Sequence, residues 1–134
     1  MLKFQLKSGK MVELNLAPID KALYLYRTII HECKGAGLDI TAVDGESIAA
    51  VLTKNIDALL SVIGSEYVLE AIKGCADKVI YDKQRFNMEI FDRDERARGD
   101  FFPLMTLIAV ENIRPFFPAL HTVSSAIESL LLKS

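Results

Sequence analysis

The chain has 134 residues, a length that suits one domain and buries roughly two-thirds of its unfolded surface, so neither a metal nor a disulfide is needed for a core. Hydrophobic residues make up 51% and charged residues 25%, with a net charge of −2. This balance excludes a disordered segment, and it lacks the basic field by which nucleic acid is bound. Mean hydropathy is +0.24, high for a soluble domain of this size, which points to apolar surface held at an interface between chains. The longest apolar run, from Leu104 to Val110 and interrupted by Thr106, falls far short of the roughly 20 residues needed to span a bilayer. The opening residues turn polar at once and offer no signal-peptide stretch. Cys33 and Cys75 are read as reduced thiols of a cytoplasmic protein, not as a disulfide scaffold.

Residues 1–16 predict a β-hairpin. Leu2, Phe4 and Leu6 alternate with Lys3, Gln5 and Lys7, and Met11 to Leu16 follow a Ser8-Gly9-Lys10 turn. A lone hairpin is marginal in water, so its apolar face should rest on helices. Pro18 fits the first turn of a helix in which Ile19, Ala22, Leu23, Tyr26, Ile29, Ile30 and Cys33 recur at helical spacing, with Gly35 and Gly37 beyond its end. At about 100° per residue, Asp20, Tyr24, Arg27 and His31 form the opposite stripe. Leu38 to Val43 reads as a loop, and Thr41 or Asp44 caps a second helix running to about Ile63. Asn55 falls within that helix's apolar arc, which requires a partner in the core or at an interface.

Gly64 stops it and Ser65 caps a shorter helix carrying Val68, Leu69, Ile72 and Cys75 inward. Phe86, Met88 and Ile90 alternate with polar residues and suggest a short strand or extended segment. The charged run from Asp92 to Arg96 reads as a solvated loop or a helix start. Phe101 to Asn112 is helical; either Asp100 caps it, leaving Pro103 in the tolerated first turn, or it begins at Glu95 and Pro103 kinks it. Pro115 and Pro118 open a last helix bearing Phe116, Phe117, Leu120, Val123, Ile127, Leu130 and Leu131. The expected fold is therefore mainly α (α+β), one domain over 1–134. Its hairpin (1–16) packs on a bundle of about five helices (18–134).

No motif points to catalysis, a cofactor or a metal. His31 and Cys33 lie two apart on a helix, so their side chains diverge and cannot act as a base–nucleophile pair. Two histidines and two cysteines without paired spacing make no zinc signature. The acidic residues near Asp92 alternate with Arg93, Arg96 and Arg98, which suits surface ion pairing. The candidate partner-binding residues are aromatic and basic. Tyr24, Arg27 and His31 share the polar face of the first helix, where tyrosine and arginine serve as interface anchors, although a singly exposed tyrosine needs no partner. Phe116 and Phe117 are adjacent and cannot both face one side of a helix; they pack either within the monomer or against another chain.

Several stretches together resemble the tail assembly chaperones of siphophages and their prophages, of the lambdoid and Gram-positive phage type. They are the Leu2-Lys3-Phe4-Gln5-Leu6-Lys7-Ser8-Gly9-Lys10 hairpin, the helix entered through Ala17-Pro18 and two mid-chain helices. Further along come Cys75 through Tyr81 to Phe91-Asp92, Arg98-Gly99-Asp100-Phe101-Phe102 and Asn112-Ile113-Arg114-Pro115-Phe116-Phe117. The similarity covers essentially the whole chain, and Gly99 and Pro103 depart from the smoother helix of that pattern. The resemblance implies a small, non-enzymatic helical protein of the bacterial host cytoplasm, absent from the mature virion. Such a protein coats the tape-measure protein, helps recruit tail-tube subunits and self-associates as a homo-oligomer. A structural virion component, such as a tail completion or connector subunit, is the alternative. A small enzyme would need His31 or His121 to meet carboxylates in three dimensions.

Overall fold

The computed structural model describes residues 1–35, 61–116 and 120–133, with 120–124 and 126 described by backbone only. The loop expected over 38–43, its candidate caps Thr41 and Asp44, Asn55 and Phe117 lie outside the described residues, as does most of the second expected helix. Its last residues, 61–63, are helical.

The chain is α+β, and the hairpin forms where its alternation predicts. Strands β1 (Leu2–Gln5) and β2 (Met11–Leu14) pair antiparallel in the register Leu2↔Leu14 through Gln5↔Met11. Leu6 N–H donates to Lys10 O at 2.9 Å, Gly9 N–H donates to Leu6 O at 2.8 Å, and Gly9 takes a φ of +95° that a side chain would resist. The hairpin does not stand alone, however. Strands β3 (Ile80–Tyr81) and β4 (Gln84–Arg85) extend it to a four-stranded antiparallel sheet in the order β1-β2-β3-β4. Asp82 and Lys83 form the β3–β4 turn, both at positive φ (50° and 66°), as a tight two-residue hairpin turn demands.

The short strand or extended segment expected over Phe86, Met88 and Ile90 is not continued past Asn87. Met88–Asp92 coils into a 3-10 turn that buries the adjacent residues Ile90 and Phe91. A strand would send those neighbours to opposite faces.

Helix α1 (Ile19–Gly35) buries Ala22, Leu25, Ile29 and Cys33. The stripe is rotated from the expected one: Ile19 is 63% exposed, and Leu25 takes the central place expected of Leu23 and Tyr26. Helix α2 (Glu66–Gly74) starts where Ser65 Oγ accepts the Val68 N–H at 3.4 Å, and it turns Val68, Ala71 and Ile72 inward. Asp94 caps the short α3 (Glu95–Gly99) through a 2.7 Å bond from Ala97 N–H. The chain then breaks, and α4 (Phe101–Ile113) begins afresh with Pro103 in its first turn, so no kink is needed.

Every residue from Leu104 to Ile113 is buried, making α4 the central rod on which α1, α2, α3 and α5 (Leu120–Leu131) pack. Its polar members are held individually. Asn112 accepts the Ala17 N–H at 2.8 Å and donates to Ile108 O at 2.8 Å, fixing the connection from β2 to α1. Thr106 Oγ donates to Phe102 O at 2.8 Å.

Candidate partner-binding site

Beside the packed faces of α1 and α2 lies an open groove of about 460 Å³. Tyr24, Arg27, Thr28, His31 and Glu32 of α1 form one wall and Tyr67 of α2 the other. The groove follows from helix packing. Burying Ala22, Leu25, Ile29 and Cys33 against Val68, Ala71 and Ile72 leaves the residues one step around each helix at the rim. Tyr24 is 61% and Tyr67 70% exposed, so two rings face solvent together. Thr28 Oγ donates back to Tyr24 O at 2.8 Å, so its hydroxyl proton is already used within the helix. Arg27 and His31 also line a second, smaller depression of about 340 Å³ with Tyr26, Ile30 and Lys34, so the two basic residues stand between two hollows.

The structure thus joins Tyr24, Arg27 and His31 and adds Tyr67, which the sequence reading passed over. The signal was available, because Tyr67 falls outside the Val68–Ala71–Ile72 face of a short amphipathic helix. Phe116 is not part of this group. It sits half-buried in the 3-10 turn Arg114–Phe116, its ring 5.6 Å from that of Tyr26 at 54°. Phe116 thereby makes a ring contact within the monomer.

Two buried polar centres carry the molecule's other chemistry. At the first, Asp100 Oδ2 accepts the Tyr81 hydroxyl at 2.5 Å and the Ser8 hydroxyl at 2.7 Å. Burial and the Asp100 hydrogen bond push the Tyr81 phenol far above its ordinary pKa, so it stays a donor. One carboxylate oxygen thereby joins the hairpin turn, β3 and the start of α4. At the second, Glu111 is only 1% exposed. Burial raises its pKa to about 7, the neighbouring Glu128 carboxyl pushes the same way, and Arg114 pulls against both. Arg114 Nη2 lies 2.8 Å from Glu111 Oε2 but outside hydrogen-bond alignment, so proximity supplies attraction without directed pairing.

Cys33 and Cys75 are free, buried and pushed up to about 11 by that burial, which suppresses the reactive thiolate at neutral pH. Among the described residues no group of three or more His, Cys, Asp and Glu side chains could hold a metal ion. No described helix is long and apolar enough to cross a membrane. Comparison with protein-family models, with curated proteins and with solved structures finds no match to this chain.

Proposed function

We propose that this protein is a tail assembly chaperone of a siphophage or prophage. In this reading it binds the tape-measure protein, helps recruit tail-tube subunits, works as a homo-oligomer in the host cytoplasm and catalyses no reaction. The observation that carries the reading is the groove between α1 and α2. It is open to solvent, and it gathers two exposed tyrosines with an arginine and a histidine. Tyrosine and arginine anchor protein interfaces because they bury much area and still hydrogen-bond. An amphipathic helix laid in such a groove contributes apolar side chains at three- and four-residue steps, and a long target with many such stretches engages many copies. The resemblance of the hairpin, the Ala17-Pro18 junction and the Asn112 to Phe117 stretch supports the same assignment.

Mass spectrometry of purified phage particles separates this role from that of a connector or completion subunit. A chaperone is expected in the lysate and missing from finished tails. Its recovery from particles at stoichiometric amounts would contradict the proposal.

A further inference from the structure

We propose that the outer edge of β1 is a strand-addition site for an extended, acidic segment of a partner polypeptide. The inference stands apart from the helix groove and rests on backbone hydrogen bonds. In an antiparallel pair, the N–H and C=O groups of alternate residues point to opposite edges. Leu6 bonds inward, donating to Lys10 O and accepting from Gly9 N–H, so Leu2, Phe4 and Leu6 face β2. Gln5 O accepts the Lys133 N–H at 2.9 Å, and Lys7 N–H donates to Leu131 O at 3.2 Å, so Lys3, Gln5 and Lys7 face outward.

The antiparallel bridge between Leu6 and Leu132 is therefore the first rung of a further ladder, begun by the chain's own tail. Beyond that rung, the Gln5 N–H and both backbone groups of Lys3 have no partner among the described residues. The opposite edge offers less. Strand β4 has two residues, with Arg85 folded onto Asp77 at 2.7 Å and Gln84 engaged by Arg93.

The side chains define the occupant. On the core side, Leu2 and Phe4 are only partly buried at the rim of the core, so apolar residues at alternate positions would cover them. On the other side, Lys3 and Lys7 are exposed and make no ion pair among the described residues. Acidic residues at the intervening positions would meet them. A second copy of β1 fits badly, because antiparallel self-pairing sets these lysines near their own counterparts. An incoming segment longer than the free stretch displaces the tail, which holds β1 by two backbone bonds.

The test uses the whole chain and short capped peptides of alternating residues: Glu and Val, Lys and Val, and the Glu and Val peptide N-methylated at every second residue. Binding is followed by fluorescence anisotropy and by amide hydrogen exchange. The Glu and Val peptide is expected to bind and to slow exchange at the Lys3 and Gln5 amides. The Lys and Val peptide and the methylated peptide, which lacks half its donors, are expected to bind at least about tenfold more weakly. Lys3→Pro should weaken binding by a similar factor while the sheet persists, because proline is tolerated where a strand N–H faces solvent. Equal binding of the methylated peptide, or protection elsewhere without protection at Lys3 and Gln5, would overturn the proposal; so would the absence of binding.

Discussion

Replacing Asp100 with alanine is expected to lower the free energy of unfolding by about 3 kcal/mol, since hydrogen bonds to a charged group contribute about 1.5–3 kcal/mol each and are not additive. Asp100 is 5% exposed and Tyr81 1%, so the Tyr81 hydroxyl would lose its acceptor in a place that water reaches poorly. The Ser8 hydroxyl is less buried and would find water, so its share of the loss is smaller. Tyr81→Phe removes the orphaned hydroxyl and keeps the ring that packs 5.7 Å from Phe91, so it should cost less than Asp100→Ala. Urea unfolding followed by circular dichroism measures both. A change below about 0.5 kcal/mol for Asp100→Ala, the size of an ordinary surface substitution, would show that the triad does not hold the hairpin to α4.

A second large effect should appear as a dependence on pH. Glu111 titrates near 4.5 in its ordinary state and at about 7 in the folded protein, so between these values the folded state holds more protons than the unfolded one. Its contribution to stability is fully present below pH 4.5 and is lost as pH rises through about 7. The separation between those two values corresponds to roughly 3 kcal/mol. Other carboxylates add slopes of their own, so the informative quantity is the difference between wild type and Glu111→Gln. The glutamine variant keeps the shape and stays neutral, and its unfolding midpoint should fall less than that of wild type between pH 5 and pH 8. Parallel pH profiles for the two proteins would remove Glu111 as the source.

Elements whose stabilising contacts are local could be read in the sequence. The β1–β2 hairpin is written in period-two alternation around Gly9, α2 in the Ser65 cap and the Val68–Ile72 spacing, and α4 in an apolar run with Pro103 in its first turn. What escaped depends on residues distant in the chain. Strands β3 and β4 are two residues each, too short to show a period, and form because Val12 and Glu13 offer their second edge to Tyr81 and Ile80. Asp100 looks like a helix cap, yet its side chain turns to Tyr81 and Ser8, which are 19 and 92 positions away. Glu111 and Asn112 interrupt a hydrophobic rod for reasons supplied by α5 and by the segment before α1.

The candidate site divides in the same way. Tyr24, Arg27 and His31 share one helix face and so could be grouped from spacing alone. Their meeting with Tyr67 depends on how α1 and α2 pack. Phe116 owes its place beside Tyr26 to the turn after α4, which the doubled aromatic could not reveal.

The proposed chaperone function is tested most directly by the soluble fraction of a siphophage tape-measure protein, the proposed partner, when it is expressed with this chain or with its Tyr24→Ala, Tyr67→Ala variant. The proposal predicts that the wild-type chain brings the tape-measure protein into a soluble complex. The doubly substituted chain, folded but without its groove rings, should lose most of that effect. Solubility indifferent to the presence of this chain would contradict the chaperone function, and solubility restored equally by the variant would show that the groove is not where the partner binds.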